Sequence, residues 1–81
     1  MYEKVGEKIE VVGTFKGGSV VPRLFKLKKK VIKIKKVHLS YQEREGKFIN
    51  YYFSTETDRG MYKLKFNNGS LVWEAEEVWM E

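Results

Sequence analysis

Residues 24–41, LFKLKKKVIKIKKVHLSY, decide the fold. Seven of the eleven residues from 26 to 36 are lysine, and apolar residues stand between them at every second or third position. Alternation of apolar and charged residues is typical of a strand that buries one face. The stretch therefore predicts two strands of a β-hairpin, with a turn at residues 28–30. One face should join a core, and the other should carry the ammonium groups.

The apolar residues change phase in the second half of this stretch. Ile32 and Ile34 fall on one strand face, and the next apolar residue, Val37, follows after an odd step. Such a slip turns later side chains to the other face unless a β-bulge or a bend absorbs it. We predict one long strand over residues 31–43 with a bend near residues 35–36. The apolar residues expected to share a face after the bend are Val37, Leu39 and Tyr41.

Alternating segments bounded by turn residues continue on both sides of the hairpin. Residues 1–7 show no period and are expected to form a loose lead-in. Pro22 belongs at a strand start or an edge, because proline donates no ladder hydrogen bond. Asn68-Gly69 suits a type I′ turn, and residues 76–81 fit either a short terminal turn or the end of a strand. The predicted strands are 8–15, 24–27, 31–43, 48–55, 61–66 and 71–75.

Six short strands without a convincing helix predict an all-β fold, and 81 residues predict a single domain over 1–81. The simplest arrangement is an antiparallel meander, either a strongly bent sheet or a small barrel of SH3 or OB size. Curling would hide the sheet edges. It would also bring the acidic last strand, with Glu74, Glu76 and Glu77, close to the first strand.

Charge is segregated along the chain. Residues 16–36 contain nine positive residues and no negative one, whereas residues 74–81 contain four negative residues and no positive one. A basic segment of this kind can attract a polyanion. It can equally protect a sheet edge from aggregation, or lie opposite the acidic end of its own chain.

The chain has no cysteine, which favours a reducing, intracellular setting. Its charged N-terminal residues lack the apolar region of a signal peptide. No apolar run approaches the roughly 18 residues that a membrane-spanning helix needs. We therefore expect a cytoplasmic protein without a membrane segment.

Catalytic and metal-binding patterns are missing from the sequence. The single histidine, His38, falls on the polar phase of a strand and has no signalled acid, base or metal partner. The paired carboxylates at Glu43 and Glu45 have polar neighbours, as solvated surface residues do. The glycine-rich segment 13–19 lacks the lysine of a phosphate-binding loop. We expect no enzyme activity, no metal site and no cofactor.

Several spaced motifs occur from residue 22 onward. Pro22 precedes Phe25, the hairpin 26–34 and Val37, and Tyr51-Tyr52 follows further along. The later motifs are Gly60-x-Tyr62-x-Leu64-x-Phe66 and Trp73-x-x-x-x-Val78-Trp79. In these features the chain resembles a small uncharacterised bacterial all-β family, whose members are appended to, or encoded beside, Y-family translesion DNA polymerases. The resemblance implies an intracellular accessory domain linked to DNA repair.

The basic face is the candidate functional site. Its cations could follow a phosphate backbone, with aromatic rings from the second face of strand 48–55 stacking on bases. The first hypothesis is a non-enzymatic accessory domain that contacts single-stranded or duplex nucleic acid. The second is an adaptor that docks on a translesion polymerase or another repair protein through an exposed sheet edge or aromatic face. A solvated lysine face, with the rings in a second small core, is the alternative to both. The candidate residues are Arg23, Lys26, Lys28, Lys29, Lys30, Lys33, Lys35, Lys36, Phe48 and Tyr52.

Overall fold

A computed structural model describes residues 1–80, which form six antiparallel β-strands. Each strand pairs with the next along the chain, and the first also pairs with the last, so the hydrogen bonds form a closed ring. The predicted all-β meander of six strands is confirmed, and the sheet closes into a barrel. The strands are β1 (Tyr2–Lys16), β2 (Ser19–Leu27), β3 (Lys30–Glu45), β4 (Phe48–Thr57), β5 (Gly60–Asn67) and β6 (Val72–Trp79).

The ring is closed unevenly. The first half of β1 pairs with β6, and its second half pairs with β2. β3 and β4 pair along almost their whole lengths. β2 and β3, in contrast, share only four residue pairs, from Leu24 opposite Lys33 to Leu27 opposite Lys30. Beyond these pairs the two strands separate, and the wall of the barrel opens between them.

The expected loose lead-in over residues 1–7 is wrong, because β1 begins at Tyr2. Lys4 lies opposite Glu77, and the Tyr2 ring lies 4.8 Å from the Trp79 ring. Gly6 has a φ of 62°, and the register with β6 shifts between Lys4 and Glu7. This bulge breaks the alternation, which is why the segment shows no period in the sequence. The acidic end of the chain does lie beside the first strand, as expected.

The last hairpin is confirmed, but its turn differs from the type I′ prediction. The amide N–H groups of Gly69 and Ser70 both donate to Asn67 Oδ1, at 2.9 Å each. The chain therefore makes a longer turn, in which Leu71 has a φ of 59° and is 69% exposed. Leu71 therefore precedes β6 and does not join the core. β6 then runs to Trp79, so residues 76–79 are strand, and Glu81 lies outside the described residues.

β3 contains two irregularities where one was predicted. The register with β4 shifts between Ile34 and Lys36, as expected, and shifts again between Val37 and Leu39. The second shift places Leu39 opposite Ser54, on the outer face, where it is 56% exposed. The prediction that Val37, Leu39 and Tyr41 share one face is therefore wrong, since only Val37 packs against the core.

The core fills the barrel with one or two residues from each strand. Phe25 and Leu64 are fully buried, and the Phe25 and Tyr62 rings meet edge to face at 5.2 Å. Burial of each large apolar side chain contributes roughly 1.5–3 kcal/mol. Together these side chains hold the lysine-rich hairpin to the barrel. The buried cluster is Ile9, Phe25, Ile32, Phe53, Tyr62, Leu64, Ala75 and Val78.

Candidate functional site

The β2–β3 hairpin has the two-faced character that its sequence predicts. Phe25 and Ile32 lie opposite each other and are both buried. Because neighbours along a strand face opposite sides, Lys26 and Lys33 point outward, and both are exposed. The buried pair anchors the hairpin to the core, and the lysines are presented to solvent on its outer face.

The turn of this hairpin has an unusual backbone. Lys28 and Lys29 have φ values of 49° and 69°, in the left-handed region that costs an L-residue roughly 1–2 kcal/mol. The turn between β1 and β2 has the same length and uses Gly17 and Gly18, with φ values of 56° and 81°. Glycine adopts this conformation without a steric penalty. The chain thus places lysines where glycine or asparagine is favoured.

Some of the predicted cations are engaged within the molecule. Lys28 Nζ lies 3.6 Å from Glu7 Oε1, and Lys35 Nζ lies 2.9 Å from Asp58 Oδ1. Lys36 lies opposite Glu56. Lys36 and the remaining candidates make no ion pair within residues 1–80 at 4.0 Å or less. These free cations are Arg23, Lys26, Lys29, Lys30, Lys33 and Lys36.

The hydrogen bonds within these pairs shift the pKa values of the groups that form them. A hydrogen bond from Lys35 holds the pKa of Asp58 below its ordinary value, and the same bond raises the pKa of Lys35. The His38 Nε2 lies 2.6 Å from Glu56 Oε1, and this hydrogen bond lowers the pKa of Glu56. Lys35 is therefore committed to Asp58, and the free positive charge concentrates around the tip and outer face of the β2–β3 hairpin.

Phe48 does not lie beside these lysines. It pairs with Glu45, the last residue of β3, whereas the lysine-rich turn precedes Lys30, the first residue of β3. The Phe48 ring covers Gly69 so closely that an added Cβ there would lie 2.5 Å from it. Phe48 is 41% exposed. Its ring packs on the β5–β6 turn, beside the end of β3 that is far from the lysines.

Tyr52 is not free to stack on a base, because it is buried. Its ring stacks on Tyr41 with centroids 4.9 Å apart, and Lys63 Nζ lies 5.1 Å from its centroid. Burial raises the pKa of the Tyr52 hydroxyl. Tyr52 is covered because the second irregularity of β3 turns Tyr41 to the outer face, where its ring stacks on that of Tyr52. This ring belongs to a second small cluster on the outside of the barrel.

Two features of the surface were not predicted from the sequence. The first is an exposed aromatic pair, Tyr2 and Trp79, which borders a shallow groove of about 280 Å³ together with Met61 and Lys63. It was missed because residues 1–7 have no period. The expected approach of the acidic last strand to the first strand is the one signal that could have paired them.

The second feature is the opening between β2 and β3, which we call the seam. It holds a cleft of about 430 Å³, with β2 on one side and β3 on the other. The cleft exposes the edge of the core beside several polar groups, so its lining is mixed. Its principal lining residues are Val20, Pro22, Val37, Ser40, Tyr51 and Phe53.

Residues 1–80 contain no cluster of three or more histidine, aspartate or glutamate side chains placed to hold a metal ion. In the same range no helix is long and apolar enough to cross a membrane. Comparison of the chain with protein-family models, with curated proteins and with solved structures gives no match. The resemblance to the polymerase-associated family stays a prediction.

Proposed function

We propose that the chain is a non-enzymatic, cytoplasmic accessory domain that contacts the backbone of nucleic acids through the tip and outer face of the β2–β3 hairpin. The observation that carries the proposal is the left-handed backbone of Lys28 and Lys29. Strain retained at a surface turn points to a role for the side chains that cause it. Here those side chains carry two exposed ammonium groups, of which Lys29 makes no ion pair within residues 1–80 and Lys28 lies 3.6 Å from Glu7.

Edge protection accounts poorly for these two residues. A charge protects an edge when it lies along an unpaired strand, and Lys28 and Lys29 lie in the turn, between paired strands. A polyanion, in contrast, meets the tip of a hairpin first. The free cations Lys26 and Lys33 extend the contact down the outer face.

The geometry favours phosphate contact over base reading. Lysine acts as a point charge and lacks the planar fork of arginine. Neither candidate ring adjoins the lysines, because Phe48 lies at the other end of β3 and Tyr52 is buried. Binding should therefore be insensitive to sequence and should weaken steeply with salt, since each phosphate contact on duplex DNA contributes a log–log slope of about −0.9.

The resemblance to the family found beside translesion polymerases supports DNA as the polyanion and DNA repair as the setting. Fluorescence anisotropy with labelled single-stranded and duplex oligonucleotides, at low and moderate salt, tests the contact. Lys29→Gly should weaken binding several-fold and reduce the salt slope by about one contact. The absence of binding at low salt would refute the proposal.

Lys47→Gly is a matched control for that experiment. Lys47 is the second residue of the two-residue turn between β3 and β4, as Lys29 is in the turn between β2 and β3. Both variants lose one positive charge and gain one glycine, at opposite ends of β3. Equal weakening by the two variants would show that net charge alone drives binding, and the hairpin would lose its assignment.

A second function, docking of a protein partner, is favoured by a different observation: the unpaired edge that β3 exposes at the seam. Under this proposal the chain is an adaptor for a translesion polymerase or another repair protein. Retention of a Y-family polymerase on the immobilised chain after nuclease treatment, identified by mass spectrometry, supports it. Loss of the polymerase on nuclease treatment assigns the association to nucleic acid.

A further inference from the structure

The edge of β3 that borders the seam presents regular backbone hydrogen-bonding groups. The two-residue turn after Glu45 makes Glu45 and Phe48 a hydrogen-bonded pair. Alternation along β3 then directs the N–H and C=O groups of Ser40, Gln42 and Arg44 away from β4. Within residues 1–80 no strand pairs with that side of β3 beyond Lys33.

The opposite wall of the seam cannot offer an equivalent ladder. β2 carries an extra residue at Arg23, because Val12 pairs with Leu24 while Gly13 pairs with Pro22. Pro22 has no N–H to donate, so it interrupts the edge of β2. An incoming strand therefore has one regular edge to join, that of β3. β2 contributes apolar surface from Val20 and Val21, while Pro22 itself is fully buried.

The cleft sets the side-chain pattern of such a strand. Ser40 lies opposite Phe53 and Gln42 opposite Tyr51, so the four share the inner face. Ser40 and Gln42 are nevertheless exposed, since nothing in residues 1–80 covers them. Residues of an added strand that lie beside them point into the cleft, whose apolar lining includes Val20, Val37 and Tyr51. Their neighbours in the added strand point to solvent.

Charge identifies the partner. Every charged residue from 11 to 42 is a lysine or an arginine, whereas Glu43 and Glu45 flank Arg44 at the far end of the seam. At the end of the seam where β2 and β3 part, an added strand approaches Arg23 on one wall and Lys36 on the other, while Lys35 is paired with Asp58. An acidic partner is attracted there, and a basic partner is repelled.

We propose that the free edge of β3 binds an extended acidic segment of a partner protein as an added β-strand, with alternate apolar side chains in the cleft. Strand addition gains affinity from main-chain hydrogen bonds and specificity from the pockets for alternate side chains. The inference rests on the adaptor function and adds the chemistry of the partner. It uses residues other than the hairpin tip, so it stands or falls separately from nucleic-acid contact.

A defined probe tests the inference. The probe is a capped octapeptide of alternating glutamate and valine, titrated into the ¹⁵N-labelled chain and followed by NMR. We expect chemical-shift changes at Ser40, Gln42 and Arg44, together with slower hydrogen exchange of their amides. Changes centred on Lys28 and Lys29, or no binding at millimolar peptide, would overturn the proposal.

Backbone methylation separates strand addition from simple charge attraction. One version of the peptide carries N-methyl groups on all valines, and the other carries them on all glutamates. Neighbouring amides of a strand point to opposite edges, so one version should bind at least ten-fold more weakly and the other should keep most of its affinity. Equal affinity of the two methylated versions would overturn the inference.

Variants complete the test. Gln42→Pro removes an N–H from the free edge and should weaken peptide binding far more than Gln42→Ala, which keeps that N–H and shortens a side chain that lines the cleft. Lys29→Gly, at the hairpin tip, should leave peptide binding within two-fold. The amides of Ser40, Gln42 and Arg44 could also be protected from hydrogen exchange when no peptide is present. If light scattering then gives the mass of a dimer, the edge pairs with a second copy of the chain, and the proposal is refuted. If the peptide fails while a polymerase is retained after nuclease treatment, the adaptor function stands and strand addition falls.

Discussion

The Tyr41 ring stacks almost parallel on the Tyr52 ring, with an interplanar angle of 16° and centroids 4.9 Å apart. Lys63 Nζ lies 5.8 Å from the Tyr41 centroid and 5.1 Å from that of Tyr52. The pKa of Lys63 is raised, first because of its hydrogen bond with Tyr41. The outer face of β3, β4 and β5 thus carries a packed cluster of its own, outside the barrel core.

Removal of the Tyr41 ring should destabilise the fold. Aromatic pairs contribute about 0.5–1.5 kcal/mol beyond the area that they bury, so Tyr41→Ala should lower the free energy of unfolding by about 1–2 kcal/mol. Tyr41→Phe keeps the stacked ring and should cost less than the alanine variant. Urea denaturation measures both, and an alanine variant as stable as the parent would show that the stack contributes nothing.

Relief of the strained lysine turn should stabilise the fold. Asparagine and glycine suit a turn with two positive φ values, so Lys28→Asn combined with Lys29→Gly should raise the free energy of unfolding by about 1–2 kcal/mol. The same double variant should bind oligonucleotides more weakly. Lys26→Asn, on a regular strand, is the control and should not stabilise. Loss of stability in the double variant would contradict the assignment of strain.

The ion pair between Lys35 and Asp58 should give the stability a pH dependence at acidic pH. A carboxyl group whose pKa is lower in the folded chain stabilises the fold at pH values above its unfolded pKa, and that contribution disappears as the pH falls through the folded pKa. The pKa of Asp58 is lowered, first by its hydrogen bond from Lys35. Stability should therefore fall on acidification.

Lys35→Met tests this dependence. NMR titration of the Asp58 carboxyl should give a pKa that is higher in the variant than in the parent, and the stability of the variant should fall less steeply on acidification. Lys33→Met removes a neighbouring charge without the hydrogen bond and should move the pKa less. An unchanged pKa in Lys35→Met would show that the ion pair does not persist in solution.

The glycine that opens β5 should be indispensable. Gly60 has a φ of 119°, and an added Cβ would collide with the carbonyl oxygen of Trp79. Gly60→Ala should therefore lower the free energy of unfolding by about 2–4 kcal/mol. Gly46 also has a positive φ, of 62°, but an added Cβ there meets nothing within 4 Å, so Gly46→Ala should lose only about 1–2 kcal/mol. Equal losses in the two variants would argue against close packing of β5 on the end of β6.

The lysine hairpin could be predicted from its alternation, because one buried face and one solvated face leave a period of two. The path of the chain after Val37 could not be predicted in the same way. Leu39 and Tyr41 keep an apolar alternation, yet they lie on the outer face, because a second irregularity intervenes at His38. A strand with apolar residues on both faces does not show which face is inward.

The candidate site, like the fold, could be predicted only in part from the sequence. The cations are visible in the sequence, and Lys26, Lys29, Lys30 and Lys33 do surround one hairpin. The rings assigned to the site, Phe48 and Tyr52, lie elsewhere, because their positions depend on the register of β3 with β4. The seam could not be predicted from the sequence for a further reason. It exists because β2 and β3 separate after four residue pairs, and no local sequence pattern marks the position where they separate.

This short ladder also makes the β2–β3 junction the weakest point of the ring. Local opening there breaks few hydrogen bonds, so the amides of residues 24–27 and 30–33 should exchange through a partial unfolding well below the global free energy. A strand bound on β3 would add hydrogen bonds at this junction. Binding of the partner strand would then be coupled to closure of the barrel. A ligand that binds only the folded state raises its stability by RT ln(1 + [L]/Kd). The unfinished wall of this barrel would then act as a stability switch, set by whether a partner completes it.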